Sequence, residues 1–497
     1  MTSAVRAELT TARASPSRLG MVGIPAVLGT LAAVVFVLLE GHTHVVPGQV
    51  PPSHWFGLLG PVSASRRAVD SLAAWAAILT LGGCWLVLVR RVRAGLLPLR
   101  PLAWTGAAWA TPFVLGPPLT SLDVYSYVAH GFLSKSGHSP YSFAPADLAP
   151  GPVLNAVDPR WHHVFSPYGP IATFNEHLAA SVGGSALGTL EVLRLLAAAA
   201  TAVSIALAVA MTRPDLRPRT MVLLGLNPLL LTTTFSAAHL EATMLVALLA
   251  AFFAARRGHP VLAVVLAVVA GLIKAPALAA VPFLIVENWR TDRRALVVVR
   301  DIAVAAVTAV IGGLLVPNGW GWTGPVLHTP AIGREWWTPS TLLAELGYGI
   351  GRLVGLPVHL AGLLGVTRSI GLAVSALLLL ELLRRRGDPA LSLGIGLTAL
   401  GVLGFVLYPW YLLWGWPLLV IAGSRRTAYV SSLAAAAFTL ANLWPQRREA
   451  AALPEAIDAH RLVTVLVLLV IGIAGAGGRW RTWHASRNQN RPRPLST

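Results

Sequence analysis

Asp123 lies in SLDVYSYVAHGFLSKSGHSPY, residues 121–141, an acid among aromatics in a chain that otherwise avoids charge. An apolar run ends near Leu119, so the carboxylate falls where hydrocarbon meets water. An acid at that boundary is costly unless it has a partner or a task. Tyr125, Tyr127, Phe132 and Tyr141 surround it, ring types that suit both the interface and the face of a sugar. A lone carboxylate there is suited to taking one proton from a substrate hydroxyl.

More polar chemistry follows. The segment 119–190, about 70 residues long, exceeds an ordinary connection and is dense in proline and glycine, which predicts ordered turns. It holds His130, His138, Asp147, Asp158, Arg160, Trp161, His162, His163, Glu176 and the turn SPYGP with Tyr168. Tyr168 and Trp161 suit membrane anchoring and ligand contact equally. Adjacent histidines point apart on regular structure, and neither His162-His163 nor His138 with Asp147 has a metal-ligand pattern. His239 and Glu241, in AAHLEA, open an apolar run, either as a dipole-favoured helix start or as a grip on a substrate hydroxyl.

Three cations stand near this set. Lys274, in GLIKAPAL, is one of two lysines in the chain, and apolar residues and a proline flank it. Lysine suits phosphate as a compact charge, whereas Arg368 or Arg334 offers a forked grip. Pairing of Lys274 with Glu241 or Glu335 is the competing reading. Trp336, Trp337, Tyr408, Trp410 and Tyr411 suit either a substrate path or the interfacial belt.

The elements that position these residues are membrane helices. The 497 residues are 55% hydrophobic and only 12% charged, with a mean hydropathy of +0.67. That is about half the charge of a soluble domain. The net charge of +18 sits in short arginine clusters between apolar runs rather than in one patch, which argues against nucleic acid as a partner. The single cysteine, Cys84, excludes disulfide and cysteine–metal scaffolds. The apolar run at 20–39 lacks a clear cleavage site and reads as a span.

Apolar runs predict an all-α integral membrane protein of about 12 to 14 helices, each crossing taking about 20 residues. Residues 260–287 read either as one kinked helix or as a hairpin broken at Pro276. Arg90-Arg91-Arg93, Arg384-Arg385-Arg386 and Arg425-Arg426 mark cytoplasmic turns, whereas the opposite loops are richer in acid. Both termini are then cytoplasmic, with tails at 1–19 and 480–497 around a membrane domain at 20–479. The loops 119–190 and 318–358 lie outside.

The series DVYSY…SPY, VDPRW…SPYGP, NPLLL…AHLEA, GLIKAP and REWWTPST resembles the polyprenyl-phosphate-mannose-dependent α-1,6-mannosyltransferases of actinobacteria, membrane glycosyltransferases of the GT-C fold class. The resemblance runs over most of the chain. Two motifs depart from the family pattern: His-Leu-Glu, with Leu240 where a shorter polar residue and Glu241 where often Asp is expected, and His130 where glutamine is frequent.

The resemblance implies a plasma-membrane GT-C bundle with a large ordered outer loop. Its donor would be polyprenyl-phosphate-mannose and its acceptor a mannan or lipomannan-type glycolipid. The reaction would form α-1,6 linkages with inversion on the extracytoplasmic face. Asp123 would be the base, and Lys274, Arg368 and Arg334 the contacts to the donor phosphate. Tyr125, Tyr127, His130, Tyr141, Tyr168, His239, Glu241, Trp336 and Trp337 would contact sugar or acceptor. No cofactor is required by that chemistry, and a divalent metal is left open. A GT-C transferase for another lipid-linked sugar fits the same residues. A lipid-linked sugar flippase predicts matching broken helices in two halves, a pattern the sequence lacks.

Overall fold

The computed structural model describes residues 20–44, 64–328, 332–335 and 337–442. The two tails, the apolar run at 461–479, most of the segments 40–70 and 444–460, and Trp336 lie outside the described residues. Those described are helical and contain no strand.

Five described helices are long and apolar enough to cross a membrane unaided. These spans are Val22–Gly41, Val69–Arg93, Ala186–Met211, Ala295–Leu314 and Leu360–Arg384. The protein is therefore a multi-pass membrane protein. The last two spans turn most of their apolar side chains outward, as a lipid-facing helix does; Leu296 is 76% exposed and Leu377 65%.

The order begins with α1 (Gly20–His44), α2 (Ala64–Arg93) and α3 (Leu99–Leu115), which pack together. Next come α4 (Asp123–Lys135), α5 (Pro170–Gly183) and α6 (Ala186–Met211). Helix α4 lies along α5, and α5 along α6.

The chain between α6 and the next helix, α7 (Glu241–Arg256), is irregular. Met221–Gly225 and Leu231–Ser236 are π-helical turns around the short helix Pro228–Leu230. Such turns free backbone carbonyls, and side-chain hydroxyls take them up: Thr232 donates to Pro228 and Thr234 to Leu230, at 3.0 and 2.7 Å. Pro228–Ser236 meets α7 at 113°, so one apolar stretch is sharply bent, with His239 at the bend.

A second break is tighter. Helices α8 (Pro260–Ile273) and α9 (Ala280–Asp292) are joined through extended Lys274 and the 3-10 turn Ala275–Ala279. A side chain at Gly271 would lie 3.1 Å from the Cα of Leu278, so the chain reverses there as a hairpin. The alternative left open for 260–287 is resolved in favour of the reversal.

Beyond it run α10 (Ala295–Leu314), α11 (Pro339–Leu353), α12 (Leu360–Arg384), α13 (Pro389–Leu403), the aromatic 3-10 turn Pro409–Trp414, and α14 (Arg425–Asn442). Three further apolar stretches, Pro260–Ile273, Pro389–Leu403 and Pro409–Ala422, are shorter helices of the same bundle.

Candidate active site

Two strained turns face each other across the site. Thr120, with φ 68°, sits three residues before Asp123, and Ala238, with φ 52°, sits one before His239. Left-handed backbone is unfavourable for residues with a side chain and persists only where the surroundings enforce it. The turns are tied together by the Leu119 N–H, which donates to Ser236 Oγ at 3.1 Å. Asp123 opens α4, where the helix dipole favours a negative charge.

The Asp123 side chain is 18% exposed, and its Oδ2 lies 3.6 Å from Nδ1 of fully buried His239. That exceeds hydrogen-bond length, and neither His239 ring nitrogen has a hydrogen-bond partner among the described residues. The imidazole stacks on Trp410 at 3.9 Å, and Trp410 stacks on Tyr408 at 4.7 Å. Burial pushes the Asp123 carboxyl up to about 6, against the opposing pull of Lys274 and then Arg160.

Lys274 occupies the hairpin break. The SPYGP turn docks there: the Gly169 N–H donates to Ile273 O at 3.2 Å, and a Cβ on Gly169 would stand 2.1 Å from Leu272 O. Only glycine allows that approach, which brings the Tyr168 ring to 5.4 Å from Lys274 Nζ. Tyr411 and Trp414 complete an aromatic cage at 5.1 and 5.8 Å. Nζ forms an ion pair with Glu241 Oε1, which also accepts from Trp414 Nε1 at 3.2 Å. Glu241 Oε2 is buried and makes no hydrogen bond.

A cavity of about 410 Å³ opens between these groups. Its lining includes Asp123, Lys274, Tyr168, Trp161 and the aromatic turn, together with the apolar Pro276, Leu327, Leu372, Leu400, Phe405 and Val406. A smaller cavity of about 50 Å³ lies behind Asp123, lined by Ser126, His130 and Phe165 among others. Asp123, Trp161, Pro167 and Tyr168 border both. A carboxylate between two chambers, with an ammonium on the wall of the larger, suits proton removal on one side and anion binding on the other.

The remaining candidates are distributed more widely. Tyr127 is buried edge-on to Tyr168 at 5.4 Å. His130 reaches the small cavity, and its Nδ1 is 3.7 Å from the buried Glu176 carboxylate, whose affinity for its proton burial raises. Tyr125 packs in the core. Tyr141 hydrogen-bonds Thr173 at 2.9 Å within a separate apolar cluster. Trp337 donates to Leu407 O at 2.7 Å.

Arg368 is buried and donates to Gly333 O at 2.7 Å, and Gly333 borders the large cavity. Arg334 is half-exposed and pairs with Glu345 at 2.7 Å. His162 contacts Val157 O at 3.1 Å, and Asp147 accepts from the Ala144 N–H.

Trp414 was not singled out from the sequence. Its signal is the aromatic spacing of YPWYLLW, residues 408–414, which ends on it. Glu335, the other partner considered for Lys274, does not take that place: burial pushes its carboxyl up to about 7, with Arg160 pulling the other way. Arg160 itself is forked onto Asp158 at 2.9 Å beside Trp161.

The sequence was compared with known families and proteins. Residues 26–290 match the N-terminal domain of the alpha-(1->6)-mannopyranosyltransferases, and residues 340–473 match the MptB C-terminal domain. Alpha-(1->6)-mannopyranosyltransferase A of Mycobacterium tuberculosis is 31% identical over 379 residues, 71% of this chain and 71% of the relative. A second alpha-(1->6)-mannopyranosyltransferase of that organism is 28% identical over 75% of this chain and 74% of its own length. Alpha-(1->6)-mannopyranosyltransferase B of Corynebacterium glutamicum is 28% identical over 65% of this chain and 59% of its own. No solved structure matches.

Proposed function

The chain belongs to the alpha-(1->6)-mannopyranosyltransferase family, and from that premise we propose that this membrane glycosyltransferase takes mannose from polyprenyl-phosphate-mannose. The acceptor is a mannan or lipomannan-type glycolipid, and transfer occurs on the extracytoplasmic face of the plasma membrane.

The observation that carries the reading is that Asp123 and Lys274 line one cavity together with many apolar and aromatic residues. The apolar residues suit a prenyl chain, and the aromatic ones suit a sugar. Asp123 accepts the proton of the acceptor's primary hydroxyl as that oxygen attacks the anomeric carbon. The bond from that carbon to the phosphate oxygen breaks on the opposite face, so the configuration inverts. Lys274 stabilises the charge gathering on the departing prenyl phosphate. Arg368, through Gly333, holds the cavity rim, and Arg334 steadies the same segment through Glu345. His239 fixes the aromatic stack beside the base.

The test incubates membranes carrying the enzyme with labelled polyprenyl-phosphate-mannose and a short α-mannoside, then analyses the linkage formed. New α-1,6-linked mannose is expected. Transfer only from a different lipid-linked sugar would replace the donor assignment, and no transfer from a lipid-linked donor would overturn it.

A further inference from the structure

Far from Asp123, three arginines converge on one tyrosine. Arg93 closes α2 and the Val69–Arg93 span, Arg425 opens α14, and Arg219 lies in the short helix Arg217–Thr220. The guanidinium carbons of Arg93 and Arg425 lie 5.1 and 5.9 Å from the Tyr429 ring centre. Arg425 also donates to Arg93 O at 3.0 Å. Arg219 donates to Val420 O and is near enough to Tyr429 and Arg425 to act on both electrostatically. We propose that Arg93, Arg219 and Arg425, with Tyr429, form a binding site for a phosphate group, carried on an anionic phospholipid or free in solution.

Charge is the first ground. Like charges gathered at this range repel, and the charged neighbours of Tyr429 are all arginines. The acidic neighbour of Arg219 is Asp215, whose carboxylate is exposed and already bonded to Arg213 at 3.2 Å. A phosphate supplies the missing negative charge, and its oxygens match the guanidinium fork.

Burial is the second. Arg219 is 8% exposed and donates to Val420 O at 3.3 Å, while its Nε is buried without a partner. A buried charged donor left unmet is destabilising, so a ligand that meets it is favoured.

Position is the third. The cluster sits at the end of a membrane span, the level of lipid headgroups, and the nearby side chains of Leu96 and Val430 are exposed apolar surface. It is also remote from the transfer site. Helix α3 starts six residues after Arg93, and its 17 residues rise roughly 25 Å before the chain turns to Asp123. The site therefore stands apart from the transfer chemistry.

The test uses the purified full-length enzyme, stripped of lipid in neutral detergent. Thermal melting and native mass spectrometry are followed with phosphatidylglycerol, with phosphatidylcholine, and with inorganic phosphate alone. Phosphatidylglycerol should bind and raise the melting temperature while phosphatidylcholine does not. If inorganic phosphate reproduces the effect at millimolar concentration, the ligand is the free anion; if only the lipid does, it is the headgroup.

Both neutralised side chains in the R93Q/R425Q variant are exposed, so its fold should persist. Its affinity should fall roughly thirtyfold, two basic residues acting near a charged surface. Equal responses to the two lipids with none to phosphate would overturn the site. So would R93Q/R425Q protein that melts like wild type without ligand and still binds phosphatidylglycerol as tightly. Should that variant misfold, the single variant R425Q gives the second reading, and undiminished selectivity for phosphatidylglycerol in it would also remove the site.

Discussion

His239 Nδ1 stands 3.6 Å from the Asp123 carboxylate, each group following a left-handed residue that carries a side chain. The pair is close enough to interact and too far apart to be bonded, so the carboxylate keeps its lone pairs for a substrate proton. Ser236 stitches the two turns together through Leu119, and His239 is pinned by its stack on Trp410. The base is positioned by rigid packing rather than by a hydrogen bond that proton transfer would have to break.

Asp123→Asn keeps the shape and removes the base. Turnover should fall roughly 10²-fold or more, with donor affinity and melting temperature little changed. Single-turnover assays on purified protein check this. Near-normal turnover would move the role to another carboxylate, with Glu335 the first to test.

The pH dependence follows from burial. Asp123 must be ionised to act, and its carboxyl is pushed up to about 6, so kcat/KM should rise with pH and level off above that value. Lys274 lowers the same carboxyl, so Lys274→Ala should move the acid limb to higher pH. The raised value also means that folding loses some stability between the ordinary carboxylate range and about pH 6, because the folded state holds that proton more tightly. A limb unmoved in Lys274→Ala would separate Lys274 electrically from the base.

Asp123, Tyr168, Lys274 and Glu241 were visible in the sequence because each is a costly or rare residue type in an apolar chain, and the fold gathers all four. Which partner each one takes was not visible. The Lys274–Glu241 pair spans 33 residues and depends on two separate helix breaks meeting. Nothing local predicts Glu345 or the Gly333 carbonyl as partners of Arg334 and Arg368. Tyr141 has the same composition signal as Tyr168, yet the turn that carries it faces Thr173. The π-turns around Pro228 have ordinary apolar sequence, and only packing against neighbouring helices decides their winding.

Gly169→Ala tests the docking of the SPYGP turn. The added methyl would fall 2.1 Å from Leu272 O, so turn or hairpin must give way. Overpacking of this kind costs roughly 1–3 kcal/mol. The melting temperature should fall, and activity should fall further than that loss explains, since Tyr168 leaves the Lys274 cage. An unchanged melting temperature with full activity would mean that the turn need not touch Leu272.

The arginine clusters predict the facing of the site, and single cysteines placed on either side can read it. Ala149 is exposed in the long loop, so Ala149→Cys in a Cys84→Ala background should react with a membrane-impermeant maleimide in intact cells. A cysteine at exposed Arg385 should react only after lysis. The reverse pattern would place Asp123 on the cytoplasmic side and exclude transfer on the outer face.

Lys274 and Glu241 offer two roles to separate, a ligand for phosphate or an internal pair. Removing either alone leaves a buried charge without its partner, a loss of about 3–5 kcal/mol for such pairs. Both Lys274→Ala and Glu241→Ala should therefore express poorly and melt early. The double variant Lys274→Met with Glu241→Leu removes both charges and should regain much of the stability. If Lys274 also binds the donor phosphate, stability returns while turnover does not, and KM for the lipid-linked donor rises. Recovery of turnover along with stability would reduce Lys274 to a structural partner and leave Arg368 and Arg334 as the candidate contacts to the donor phosphate.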